Sequence, residues 1–503
     1  MENLHAHNTL RSKYLGIDTY RENIVYLRAD SPVCRCEGFT ALTRIVVHHG
    51  ESSIVATLNV VHSELLDTDE AGLSMEAMKR LSVGDSDPVT VSHLEPIGSL
   101  SHIRAKMHRY TLTEQQLCEI IEDIVAGKYS NVELAAFLSV SSGNNLTTDE
   151  IVGLTKAMVA TGQEIRWRAP MVMDKHCIGG LPGNRTTPIV ISIIAAAGLT
   201  IPKTSSRSIT SPAGTADTME VMTNVELDIE RMKEVVSREN ACLVWGGAVS
   251  LSPADDVLIT VSKALDIDSE GQMIASVLSK KKAAGATHVV IDIPVGRTAK
   301  VRDREHARSL ISKFEKVGHE IDIIVKCLIT DGSQPVGRGI GPALEAMDVL
   351  GVLRNEGGAP TDLKNRALLI AGVLLELSGK VEKGSGANTA AGLLEDGSAY
   401  SKFMAICEAQ GRFMEPGFAA FRRDVIALKS GTVISIDCRR LAKLAKLAGA
   451  PTSPNAGILF VSPLGRKITG GDVLFTVYAE SQGELEYALH YYYKNQSNLI
   501  QIL

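Results

Sequence analysis

Asp174-Lys175-His176-Cys177-Ile178-Gly179-Gly180 and, further on, Ser205-Ser206-Arg207-Ser208-Ile209-Thr210-Ser211-Pro212-Ala213-Gly214-Thr215-Ala216-Asp217 enclose the stretch that decides the fold. Between them runs an apolar, helix-like segment, Pro188–Ala197. Two loops of small residues and hydroxyls, each with one cation, therefore flank one helix. That arrangement suits a dianion held by backbone N–H groups, hydroxyls and a fixed positive charge. The second loop carries enough donors for another phosphate.

Beyond these loops, β-rich runs alternate with helices: Ala241–Trp245, Gln272–Ala284, then the strand His288–Ile293. Such alternation implies a mainly parallel α/β layer. Upstream, Thr113-Glu114-Gln115-Gln116 is a capping box, followed by apolar residues at helical spacing through Ile120, Ile121 and Ile124. Asn131–Val140 and Thr147–Val159 complete a compact helical group. Residues 11–98 instead alternate apolar and polar in short runs such as Ile45-Val46-Val47-His48, with Ser74 capping one helix. Downstream, Ala371–Ser378 and Arg439–Ala448 read as helices, and the tail from Ala456 to Val477 returns to strands.

With 503 residues the chain exceeds one core. The expected fold class is multidomain α/β. A small N-terminal β-barrel-like domain (1–105) leads into a helical subdomain (106–168, completed by about 250–285). A large mainly parallel α/β domain (169–410) and a C-terminal α+β domain (411–503) follow. A net charge of −6 with 45% apolar and 22% charged residues argues against nucleic acid as a general partner. No long uncharged apolar run or apolar signal core is evident, so a cytoplasmic protein without membrane contact is expected. The eight scattered Cys read as reduced thiols, and no residue cluster reads as a metal site.

Glu119–Ile124 with Glu133–Leu138, Asp174-Lys175-His176 with Gly179-Gly180, the segment Asp268-Ser269, Ser276 and Lys280-Lys281, and Ala456-Gly457-Ile458 with Gly471–Leu474 together resemble the thymidine and pyrimidine-nucleoside phosphorylases over about residues 110–490. The N-terminal region is similar to double-psi β-barrels. Departures from the pyrimidine enzymes occur at Cys177 (usually Ser), at Pro182, which looks like an insertion, and in the Ser/Thr/Arg character of the second loop; the Arg they place shortly before the substrate helix has no counterpart, the nearest position being Val261 and the nearest cation Lys263. With the extra N-terminal domain, these departures resemble the archaeal AMP phosphorylases. That resemblance implies phosphorolysis of AMP, also CMP and UMP, to free base and ribose 1,5-bisphosphate. Phosphate would be a substrate, no cofactor would be needed, and the chain would form a homo-oligomer.

The resemblance assigns Gly180, Ser206, Arg207, Ser208, Ile209, Thr210, Ser211, Thr215, Ser276 and Lys300 to AMP binding. Lys175, Cys177, Thr187 and Ser205 would surround the attacking phosphate, and His176 would contact substrate. Asp268 would be the proton donor, provided desolvation or a nearby phosphate raises its pKa against the pull of a helix N-terminus. Its plainer reading is a helix N-cap, and the plainer reading of 206–211 is a Ser-rich surface turn. Three alternatives remain: a thymidine or uridine phosphorylase, an anthranilate-type phosphoribosyltransferase, and a noncatalytic assembly protein.

Overall fold

The structure is a computed structural model that describes residues 9–503 except 21, 209, 210, 250, 266 and 268. It divides into two compact units: Met1–Thr161 with Pro253–Gln272, and Gly162–Ser252 with Met273–Leu503.

In the first unit six strands close into a barrel. Thr9–Tyr14 runs parallel to Glu70–Leu73 and antiparallel to Pro88–His93, while Ile24–Arg28 runs parallel to Ser52–Val61. Arg44–His49 joins Ser52–Val61 to Pro88–His93. The alternation seen in the sequence becomes inside and outside: Ile45 and Val47 are fully buried, whereas Arg44, Val46 and His48 keep some exposure. Closure leaves no strand edge unpaired.

The same unit holds the helices Glu114–Val125, Asn131–Val140 and Thr148–Ala160, each opened by a capping box. A buried ion pair at 2.5 Å joins Glu150, on the third of them, to Lys106 of the preceding helix Leu100–Met107. Glu150 also accepts from the backbone N–H groups of Leu112 and Thr147, both at 2.8 Å. Burial opposes the Glu150 charge, yet these donors outweigh it and hold the carboxyl below its ordinary range. The helix Pro253–Leu265 and the start of the helix Glu270–Ala283 also belong here. Ser269 Oγ donates to Ser141 O at 3.0 Å and accepts from Gln272 N at 3.5 Å. Ser269 thus caps the first turn of this helix.

The second unit is built on parallel strands. Met173–Cys177, His288–Val295 and Ile324–Asp331 form one sheet, with the middle strand at its centre, and Ile201–Ser205 pairs with Ala241–Trp245. A single parallel bridge, Val172 to Thr200, links the two sets. The helix Thr186–Ala196 is apolar all round because it is buried all round: Ile189, Val190, Ile191, Ile193 and Ile194 are each 0% exposed. Burying each side chain contributes about 1.5–3 kcal/mol. Thr361–Leu377 and Ser398–Gln410 pack into the same core. The helix at Ala371 is thus longer than its apolar signal.

The C-terminal part carries two small sheets and the helices Cys438–Leu447 and Gln482–Leu499, with Phe475 and Tyr492 edge to face at 5.3 Å. The multidomain α/β class expected from the sequence holds. No helix among the described residues is long and apolar enough to cross a membrane.

Candidate active site

Parallel strands deliver their following loops to one edge of a sheet, where ligands of α/β proteins gather. Met173–Cys177 and Ile201–Ser205 are such strands, and the two loops of the quoted stretch follow them. Side chains alternate along a strand. Asp174 and His176 therefore face one way, and Lys175 and Cys177 the other.

On the second face Lys175 is 1% exposed. Its Nζ donates to Thr186 Oγ1 at 2.7 Å and to Thr187 Oγ1 at 3.0 Å, on the first turn of the buried helix. No carboxylate lies within ion-pair distance of it among the described residues. Burial pulls its pKa below the ordinary lysine value, with Cys177 and Asp292 working in the other direction. Cys177 stands opposite Asp292 in the strand register. Asn184 Nδ2 reaches both Cys177 Sγ, at 3.3 Å, and Asp292 Oδ2, at 3.4 Å. Desolvation, reinforced by Asp292, pushes the Cys177 thiol up to about 12. It stays protonated, which suits a hydrogen-bond donor and not a nucleophile.

On the first face Asp174 meets Lys281 at 2.7 Å and Lys203 at 3.4 Å, all three at most 6% exposed at the side chain. Two ammonium groups on one buried carboxylate leave an excess of positive charge. Burial, partly offset by Asp174, carries Lys203 well below its ordinary pKa. Burial also depresses His176, and Lys281, Lys203, Lys280 and Lys175 add to the effect. The imidazole is thus neutral at pH 7, able to orient a ligand but not to act there as a cation.

Gly179 and Gly180 both take positive φ, +85° and +84°. A Cβ on Gly180 would stand 2.5 Å from the Lys300 backbone N, so only glycine allows this approach. Gly180 and Lys300, assigned to one ligand by resemblance, are therefore neighbours. Ser276 lies one helical turn before Lys280, on the helix that supplies Lys281 to Asp174.

The two loops are tied by a residue that the sequence did not single out. Arg185, at the mouth of the buried helix, donates to Thr215 Oγ1 at 2.7 Å and to Ala213 O at 2.9 Å. Its third partner is Glu345, at 2.7 Å. Burial raises the Glu345 carboxyl to about 7 despite that pairing. In the second loop Asp217 accepts from Ser208 N and Gly214 N, both at 2.7 Å, and Ser208 Oγ bonds to Ser211 O. An aspartate inside the helix Thr215–Glu220, not a serine, thus caps the turn. Ser206 O accepts from Ala216 N at 3.4 Å. Ser205 Oγ and Asn184 Oδ1 are buried without a hydrogen-bond partner among the described residues.

Arg207 has partners that the sequence did not announce. Its guanidinium is held bidentately by Glu220, at 2.5 and 2.8 Å, and by Glu226, at 2.8 Å. It also lies 4.7 Å over the Trp245 ring. Its charge is answered within the protein. Ile209, Thr210 and Asp268 lie outside the described residues.

Family models place this geometry in context. Residues 169–400 match the glycosyl transferase family a/b domain, 100–162 its helical bundle domain, and 432–497 the pyrimidine nucleoside phosphorylase C-terminal domain. The chain is 56% identical over 479 residues to a putative thymidine phosphorylase of Legionella pneumophila strain Paris, covering 95% of this chain and 93% of that protein. A putative thymidine phosphorylase of Hahella chejuensis is 52% identical over 484 residues, 96% of each chain. Among solved structures, anthranilate phosphoribosyltransferase from Thermus thermophilus superposes with a TM-score of 0.52 at 19% identity, over 61% of this chain and 98% of that one. That last likeness speaks to the fold alone.

Proposed function

The chain belongs to the thymidine and pyrimidine-nucleoside phosphorylase family of pentosyl-transferring enzymes, and from that premise we propose that it cleaves the N-glycosidic bond of a nucleoside 5′-monophosphate, AMP and also CMP or UMP, with inorganic phosphate. The products would be the free base and ribose 1,5-bisphosphate. The observation that carries phosphorolysis is Lys175: a buried ammonium with hydroxyls around it and, among the described residues, no carboxylate within ion-pair distance, Asp292 acting only from farther off. An isolated buried charge is costly unless an opposite charge joins it, and a phosphate dianion supplies one. Ser205 Oγ and Asn184 Oδ1, buried and unpartnered, fit a site completed by a polar ligand.

In this reading phosphate beside Lys175, Cys177, Thr187, Ser205 and Thr215 attacks C1′. A bond forms from phosphate oxygen to C1′ as the bond from C1′ to the base nitrogen breaks. The base leaves with a proton from Asp268, and neutral His176 orients the substrate. The 5′-phosphate is received by segment 206–211 with Gly180, Ser276 and Lys300. Asp268→Asn is expected to keep substrate binding while kcat falls on the order of 100-fold or more. Unchanged turnover would remove the acid role.

A second reading, phosphorolysis of thymidine or uridine, is favoured by one observation: Arg207 is already occupied by Glu220 and Glu226. Release of base from AMP, CMP, UMP, adenosine, uridine and thymidine, each with and without phosphate, decides between them. Phosphate-dependent release from the monophosphates alone supports the first reading. Release from the nucleosides alone replaces it with the second.

A further inference from the structure

The most unusual cation of the candidate site is the one already spoken for. Glu220 ends the helix Thr215–Glu220, and Glu226 follows a turn in which its own N–H donates to Asn224 Oδ1 at 3.0 Å. Both carboxylates converge on Arg207. Trp245 ends the strand paired with Ile201–Ser205, in register with Ser205, and so lies beneath the start of the loop. The third acid nearby, Asp217, is committed to the backbone of Ser208 and Gly214 and stabilises the turn itself. Arg207 also lines a cleft of about 610 Å³ together with Ser208, Glu220, Met414, Pro454 and Asn455.

One guanidinium against the two carboxylates that hold it leaves the trio at −1, and nearby Asp217 adds further negative charge. A phosphate dianion approaching Arg207 is therefore repelled until at least one carboxylate withdraws. Withdrawal is easy here for a physical reason. The side chains of Arg207, Glu220 and Glu226 are 35%, 43% and 57% exposed, so a released carboxylate returns to water. The Arg185–Glu345 pair, at 11% and 1%, has no such exit. Stacking on Trp245 keeps the guanidinium in place while its acidic partners leave.

We propose that Glu220 and Glu226 form a displaceable clasp on Arg207 that sets how strongly the enzyme favours a 5′-phosphorylated substrate over the matching nucleoside. The proposal rests on the reading of segment 206–211 as the receiver of the 5′-phosphate. The clasp lowers affinity for the monophosphate by competing with it for one cation, and leaves the phosphate at Lys175 untouched.

The experiment compares the full-length protein with Glu220→Gln, Glu226→Gln and the double variant. It measures kcat/KM for UMP against uridine and for AMP against adenosine, at saturating phosphate and at two ionic strengths; for a nucleoside that binds but is not cleaved, its inhibition constant against the monophosphate stands in for KM in the ratio. Each single change is expected to raise the ratio of monophosphate to nucleoside about two- to five-fold, through KM. The double variant should exceed either, and the gain should shrink at higher salt. A merely structural role would move both substrates of a pair together and leave the ratio flat, which overturns the clasp. Wild-type cleavage of monophosphates with an unmoved ratio sinks the clasp alone. Monophosphate cleavage that appears only in the double variant supports the clasp while overturning the wild-type substrate reading. No monophosphate cleavage in any variant sinks both.

Discussion

Lys175 and Arg207 are the two cations that mark the two loops in the sequence, and the fold treats them oppositely. Lys175 is sealed inside a parallel strand with Thr186 and Thr187 as its side-chain partners. Arg207 is half-exposed, with two carboxylates and an indole around it. In a low-dielectric interior a charge acts strongly on whatever anion reaches it, whereas a solvated, paired charge is screened. A cation in a loop thus says little until its burial and its acidic neighbours are known.

The contrast can be broken at its strong end first. If the attacking dianion sits against Lys175, as proposed, Lys175→Met should lower kcat/KM for phosphate by at least about 100-fold, since a buried cation there has no substitute. Steady-state kinetics with phosphate varied would check it, and a loss under ten-fold would place the attacking phosphate elsewhere.

A middle case is Glu345, the buried partner of Arg185. Its carboxyl is raised to about 7 from an ordinary 4.5, chiefly by burial. The folded protein therefore holds this proton more tightly than the unfolded chain between those values. Stability from this group is complete below about pH 4.5 and is lost as pH rises toward and through 7, by up to about 3 kcal/mol. Thermal melts from pH 5 to 8 should show wild type losing stability on this limb and Glu345→Gln losing less. A Gln variant with the same slope would assign the loss to other groups.

At the weak end, Arg207→Ala should change nucleoside cleavage by less than about two-fold, as befits a half-exposed pair. AMP cleavage should weaken several-fold more than adenosine cleavage. Equal losses for both would separate Arg207 from the 5′-phosphate altogether.

Much of the scaffold is legible because it is written locally. The capping box at Thr113, the period-2 runs of the barrel and the apolar run after the first loop each dictate their element within a few residues. The strand Thr9–Tyr14 is not, since its partners lie at Glu70–Leu73 and Pro88–His93 and only closure makes it a strand. The helix Thr361–Leu377 hides its beginning because its first turns are polar.

In the candidate site, contacts made across long separations escape the sequence. Arg185 sits beside two threonines in the first loop, but its partner Glu345 is 160 residues away. Glu220 and Glu226 are near enough in sequence to suspect, yet nothing in a helix and a following turn announces that both point back at one guanidinium.

The strand Met173–Cys177 has a consequence for how such a chain can tolerate change. Asp174 and His176 face the buried lysines, while Lys175 and Cys177 face the threonines and Asp292, so adjacent side chains serve two separate compartments. Substitution at any of these positions alters one compartment. Adding or removing a single residue ahead of the strand would exchange the compartments wholesale, turning Lys175 onto other lysines and Asp174 onto the threonines. A length change here therefore disturbs both compartments at once, where a side-chain change disturbs one.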